Sequence, residues 1–200
     1  MATRPATEPR STLHALRDAL DAHSDDATVR IRDVGPLTQV GLRADASDAE
    51  HLADAVGVAL PVRPNTVASG DGYRRALWLG PDEWLLVDEP GVGDALVAGV
   101  EEAAGVRWAT AVDLSANRVV LELSGPRVRD LLAAGCALDL HPRAFGPDRC
   151  AQTMLARAQV ILERDGDAFR LFVRPSFARY LAGWLLDVLE GLAADEAPER

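Results

Sequence analysis

Lysine is absent from this chain of 200 residues: all 21 of its Lys-or-Arg positions are arginine. That removes a phosphate-loop lysine, a Schiff-base lysine and a cofactor aldimine together. Cysteine is scarce, with only Cys136 and Cys150, so a disulfide scaffold is excluded. No apolar run approaches the length of a membrane span, and the N-terminal residues lack the apolar core of a signal peptide. These absences predict a cytoplasmic chain. Positive charge is outnumbered, 21 against 31 acidic residues for a net charge of -10, which disfavours a nucleic-acid phosphate track. What remains is 48% hydrophobic and long enough to bury a substantial core.

Residues 1–10 and 193–200 read as flexible tails, leaving 11–192 as one domain. Ser11 is placed to cap a helix in which Leu13, Leu16, Leu20 and His23 recur at helical steps. Val29 and Ile31, then Val40 and Leu42 beyond Gly35-Pro36, alternate as a hairpin would. Ser47-Asp48-Ala49-Glu50 has the form of a capping box, and Gly57 ends its helix. A short strand at Thr66–Ala68 precedes a second hairpin, 76–79 with 84–87, and a helix over about 94–104.

The same order then returns. Val106–Leu114 and Arg118–Leu123 read as a hairpin, and Ser124 as the cap of a helix ended by Gly135. Strands at 151–156, 160–164 and 169–173 follow, and Ser176 caps a last helix whose apolar face holds Phe177, Leu181, Trp184, Leu185 and Val188. Asp33-Val34-Gly35 overlays Asp113-Leu114-Ser115, and Val40 and Leu42 overlay Leu121 and Leu123. The expected fold is therefore α+β, an internally duplicated ββα-β(3)α unit with pseudo-repeats at about 28–105 and 106–192.

Candidate chemistry is thin. Gly91-Val92-Gly93-Asp94-Ala95-Leu96 lacks the third glycine of a dinucleotide loop and lies beside a hairpin, so it reads as a helix start. Cys136, His141 and Cys150 match no tight zinc spacing and read as buried thiols with a loop histidine. His14, His23 and His51 have no second histidine four residues on. Ser124-Gly125-Pro126 is a helix cap and not a nucleophile elbow. The carboxylate pairs Asp25-Asp26, Asp82-Glu83 and Glu101-Glu102 fall in turns or on solvated faces. Trp78, Trp84, Trp108 and Trp184 read first as core and second as a partner-facing patch. From the residues, no catalytic, cofactor-binding or metal site is assigned.

The blocks Asp113-Leu114-Ser115-Ala116-Asn117-Arg118, Leu123-Ser124-Gly125-Pro126, Leu131-Leu132-Ala133-Ala134-Gly135-Cys136 and Asp139-Leu140-His141-Pro142-Arg143-Ala144-Phe145 resemble the gamma subunits of heterotetrameric sarcosine oxidases. So do Leu79-Gly80-Pro81-Asp82-Glu83-Trp84-Leu85, Cys150-Ala151-Gln152-Thr153 and Arg174-Pro175-Ser176-Phe177, spanning about 11–192 in order. The resemblance implies a fold similar to the folate-binding domain of glycine-cleavage aminomethyltransferases. It also implies alpha, beta and delta partner subunits in a complex that oxidises sarcosine to glycine. That complex makes peroxide, and formaldehyde or 5,10-methylenetetrahydrofolate. FAD, FMN, NAD, zinc and tetrahydrofolate would be carried by other subunits and none by this chain.

Active aminomethyltransferases resembling this fold place a catalytic aspartate in a Gly-Gly-x-x-Asp-Asp-like stretch. The nearest stretch here, Ala156-Arg157-Ala158-Gln159-Val160-Ile161-Leu162, has no carboxylate. The expectation is a non-catalytic assembly subunit, with the 11–23 helix, the Trp84 hairpin and the last helix as contact elements. The alternatives are a stand-alone folate-binding one-carbon-transfer protein and a generic acidic interaction module.

Overall fold

The computed structural model describes residues 12–25 and 27–195. Alternating apolar positions build ten strands, ordered into two antiparallel sheets of five. In the first half lie β1 (Arg30–Asp33), β2 (Thr38–Ala44), β3 (Val67–Ser69), β4 (Arg75–Gly80) and β5 (Glu83–Asp88). The second half holds β6 (Ala109–Asp113), β7 (Val119–Ser124), β8 (Arg149–Leu155), β9 (Ala158–Asp165) and β10 (Ala168–Val173). The helices are α1 (Arg17–His23), α2 (Ala49–Val56), α3 (Gly93–Ala104), α4 (Val128–Ala133) and α5 (Pro175–Asp195).

The sheets run β1-β7-β10-β9-β8 and β3-β4-β5-β2-β6. Each half therefore lends its first strand to the sheet of the other. The two expected hairpins, 29–31 with 40–42 and 106–114 with 118–123, do not form: Ile31 pairs with Leu123, and Ala111 pairs with Leu42. Alternation fixes which side chains are buried but not which strand lies alongside, so the exchange is invisible to a period-two reading. The two crossings are built alike. Asp33 Oδ1 accepts the Gly35 amide at 3.1 Å, and Asp113 Oδ1 accepts the Ser115 amide at 2.8 Å. Val34 N then donates to Val120 O, and Leu114 N to Gln39 O.

Period two splits each sheet into a helix-facing and a sheet-facing side. Ile31, Leu121, Leu123, Leu162, Phe169 and Leu171 pack with Leu20 of α1, Leu131 of α4 and Leu181 and Leu185 of α5. Val40, Leu42, Trp84 and Leu86 pack with Leu52 of α2 and Leu96 and Val100 of α3. Between the sheets, Leu77, Leu85 and Val87 meet Val120, Ile161 and Phe172. The layers are helix, sheet, sheet, helix. At one side the sheets join, where Val67 N donates to Asp148 O and Cys150 N to Asn65 O.

Several local expectations shift. Asp45, and not the 47–50 box, caps the turn before α2, its Oδ1 accepting from Ser47 N at 2.9 Å and Ser47 Oγ at 2.7 Å. Ser124 closes β7 and α4 starts four residues later, because Gly125, at a φ of +111°, breaks the chain out of the helical region between them. Pro175 opens α5, so Ser176 lies inside its first turn. Gly57 does end α2, in the left-handed region at φ +67°. The proposed Ser11 cap lies outside the described residues.

Candidate functional site

A groove of about 300 Å³ lies on the sheet-facing side of β8, β9 and β10. Arg118, just before β7, and Arg174, just after β10, line it together with Gln152 and Gln159, over Ile161 and Phe172. The strand ends bring the two arginines to one wall because β7 and β10 are antiparallel neighbours, Val119 opposite Val173. Burial lowers the pKa of Arg118, the positive charge of Arg174 lowers it further, and Glu83 opposes both. Arg118 Nη1 is buried without a hydrogen-bond partner among the described residues. Arg174 Nη1 donates to Asn117 Oδ1 at 3.4 Å. Gln152 Nε2 is held by Leu79 O at 3.0 Å, which ties the groove to the opposite sheet.

This arrangement can attract a negative group, by two guanidiniums and two amides, but it cannot take a proton as a base. No carboxylate, histidine or cysteine is among its lining residues. The 156–162 stretch, which carries no carboxylate, borders the groove through Gln159, Val160 and Ile161. Arg157 is exposed in the turn after Ala156, which takes a φ of +50°.

The other sequence candidates scatter. Among the described residues, no cluster of His, Cys, Asp or Glu could hold a metal ion. Cys136 is half-buried beside Leu155, and Cys150 is buried between the sheets with its Sγ near Thr66 O and Trp78 O. His141 Nδ1 accepts from the Arg143 amide, His23 Nδ1 meets Ala19 O, and His51 Nε2 meets Ala103 O; His14 is exposed. Asp82 and Glu83 pair with Arg43 at 3.0 and 2.9 Å. Asp25 holds the Ala27 amide, Asp26 is outside the described residues, and Glu101 and Glu102 are exposed. Gly93 opens α3 with Asp113 against its Cα, so an added Cβ would strike that carboxylate.

Burial pushes the Cys150 thiol up to about 12. The folded protein should therefore leave Cys150 unlabelled by iodoacetamide at pH 8, while urea exposes it to rapid modification. Peptide mass spectrometry distinguishes the two, and fast labelling of Cys150 in the native state would contradict its placement.

The profile of the family described as "Sarcosine oxidase, gamma subunit family" matches residues 40–190. The chain is 39% identical over 197 residues to the sarcosine oxidase subunit gamma of Corynebacterium sp. (strain U-96), covering 97% of this chain and 95% of that one. The chain belongs to the sarcosine oxidase gamma subunit family. It is also 39% identical to the subunit gamma of an Arthrobacter species, covering 92% of both chains. A chain of the heterotetrameric sarcosine oxidase of Corynebacterium sp. U-96, solved with pyrrole 2-carboxylate, superposes with a TM-score of 0.86 at 38% identity, over 97% of this chain and 100% of that one. The glycine cleavage aminomethyltransferase T of Bartonella henselae superposes with a TM-score of 0.62 at 18% identity, over 84% of this chain and 48% of that one. That likeness establishes the shared fold.

Each of the expected contact elements keeps part of its apolar surface inside the chain. Trp84 is fully buried and donates its Nε1 to Pro61 O at 2.7 Å, so the Trp84 hairpin keeps its tryptophan inside. Leu13 and Leu20 are buried in the chain's own core beside α5. On α5 the buried stripe is Ala178, Leu181, Ala182, Leu185 and Leu189, while Phe177 and Tyr180 face outward. The most exposed tryptophan is Trp108 at 59%, with Val106 and Val112 exposed beside it on and before β6. Sequence reading placed Trp108 on a strand but had no signal that β6 is a sheet edge. Among the described residues no helix is long and apolar enough to cross a membrane.

Proposed function

We propose that this chain is the gamma subunit of a heterotetrameric sarcosine oxidase and serves there as a non-catalytic assembly subunit. The observation that carries the reading is full-length likeness at 38% identity to a chain of the Corynebacterium heterotetramer. The complex would hold alpha, beta and delta partners and convert sarcosine to glycine with peroxide, and with formaldehyde or 5,10-methylenetetrahydrofolate. FAD, FMN, NAD, zinc and tetrahydrofolate would sit on those other subunits in the cytoplasm. Residues 11–192 would act as one unit, with pseudo-repeats near 28–105 and 106–192.

Two features support a structural role. The groove on the sheet-facing side of β8–β10 is lined by arginine, glutamine, threonine and apolar side chains and offers no general base. Apolar residues at Trp108, Val112, Phe177 and Tyr180 remain exposed on the lone chain, as befits a surface meant to be covered. An obligate interface of this kind buries on the order of 2,000 Å² or more. The competing reading, one-carbon transfer by the chain itself, needs a base that the groove lacks.

Co-expression of the four subunits with and without this chain tests the proposal. With it, a soluble flavin-containing complex with sarcosine-dependent peroxide formation is expected; without it, the remaining subunits should aggregate or lose most activity. Full activity of the remaining three, or folate-dependent turnover by the isolated chain, would overturn it.

A further inference from the structure

Two five-stranded sheets have four edges, and three of them are met by other segments of this chain over at least part of their length. The β3 and β8 edges meet each other through Val67 N to Asp148 O and Cys150 N to Asn65 O. The far end of β8 is met where Ala156 N donates to Gly135 O. The β1 edge is closed by the segment that leads into it. Ser24 Oγ accepts from Ile31 N at 2.9 Å and donates to Ile31 O at 3.3 Å, and Asp25 N donates to Val29 O at 3.0 Å.

The fourth edge is β6, which occupies the place in its sheet that β1 occupies in the other. Ile31 pairs with Leu123 as Ala111 pairs with Leu42, displacements of 80 and 81 residues along the chain. Leu114 bonds to Gln39 O, so alternation makes Val112 and Thr110 the residues that bond to β2, and turns the amides and carbonyls of Ala109 and Ala111 outward. Among the described residues, no hydrogen bond outside the sheet reaches Ala109 or Ala111. Where Ser24 serves β1, the chain before β6 is the end of α3 followed by Gly105, Val106 and Arg107. Beside this open backbone, Trp108 is 59% exposed and Val112 55%, on the face turned away from α3. Soluble proteins blunt such edges with charge, proline or cover; along β6 there is no proline, and its one charge is Asp113 at the end, whose carboxylate is taken by Ser115.

We propose that β6 is completed in the assembly by an extended segment of a different polypeptide, which adds as a sixth strand to its sheet. The inference rests on the assembly reading above and names the surface it uses. The segment's backbone takes the outward amides and carbonyls of Ala109 and Ala111, as Ser24 takes those of Ile31. Its alternate side chains are apolar, to lie against Trp108 and Val112. It comes from another chain and not from a second copy, because each copy carries a net charge of -10 and pairing two would set like against like. The segment or its surroundings are accordingly neutral or basic.

Residue-resolved hydrogen exchange on the free chain and on the purified holo-complex tests this. In the free chain Ala109 and Ala111 amides should exchange fast while Thr110 and Val112 are protected. In the complex the two fast amides should slow by about 100-fold or more. Ala111→Pro removes an amide that β2 does not use, so the chain should fold, with an unchanged circular dichroism spectrum, but assemble about tenfold more weakly or worse. An intact complex in which both amides still exchange fast would overturn the strand-addition proposal and leave the assembly reading standing. Failure of the wild-type chain to enter any complex would overturn the assembly reading itself. Protection in the chain alone at high concentration, with a dimer by sedimentation, would replace the foreign strand by a second copy and so refute the proposal as stated.

Discussion

Glu163→Ala should lower the stability of the chain by about 3 kcal/mol or more, because it strips a buried carboxylate from between two buried guanidiniums. Glu163, on β9, accepts from Arg75 Nη1 of the opposite sheet at 2.7 Å and lies 3.9 Å from Arg170 Nη1 on β10. The exposures of the three side chains are 1%, 6% and 9%. Asp165 stays within 3.3 Å of Arg75 and 2.8 Å of Arg170, and Glu122 within 3.2 Å of Arg170, so neutralisation is incomplete but not lost. Burial pushes the Glu163 carboxyl above the usual carboxylate range, against the pull of Arg75 and Arg170. Burial by itself would lower Arg75, but the attraction of Glu163 and Asp165 reverses that and raises it. A carboxyl raised in the folded state favours folding most below its unfolded pKa, and this contribution fades as pH climbs through the folded value. Glu163→Gln should therefore cost less than Glu163→Ala, and its deficit relative to wild type should shrink between pH 4 and 7. Urea unfolding followed by tryptophan fluorescence measures both, and a cost below about 1 kcal/mol for Glu163→Ala would contradict the network's place between the sheets.

Gly125→Ala carries the second large effect, since it strikes the point where the exchanged strand enters. Gly125 follows β7 at a φ of +111°, a conformation that L side chains rarely adopt. An added Cβ would lie 2.5 Å from Thr28 O and 3.1 Å from Val29 Cα, in the backbone that leads into β1. Arg127 N also donates to Thr28 O at 3.1 Å, so that carbonyl cannot retreat without losing a bond. Strain and overlap together should cost about 3 kcal/mol or more. The loss should appear first as faster exchange of the β1 amides, ahead of those in β9 and β10. A variant as stable as wild type, with β1 protected, would mean that the strand exchange is not held at this corner.

The repeat was legible because its markers are chemical as well as periodic. Asp33 and Asp113 make the same side-chain turn at the same point of each half, and the displacement between them continues into Val40 and Leu121. The 84–87 hairpin was legible because Gly80-Pro81-Asp82-Glu83 holds its turn, with Pro81 and Asp82 between β4 and β5, and Gly57 because a glycine takes the left-handed stop without a Cβ clash. The pairing of β1 with β7 was not, since Ile31 alternates identically whichever neighbour it has. Nor could spacing tell Trp84, sealed against Pro61 O, from Trp108, left exposed just before β6: both fall in expected strands of similar pattern. The groove depends on Arg118 and Arg174, 56 residues apart in the chain and joined only by the register of β7 against β10.

Whether this chain works inside a flavin-containing assembly decides its proposed role. The measurement is a tagged pull-down of the full chain from its native cells, with the size profile, visible spectrum and sarcosine-dependent peroxide formation recorded on the eluate. A large yellow complex with that activity is expected, against a colourless and inactive chain when purified alone. A lone colourless monomer with no partner subunits would contradict it.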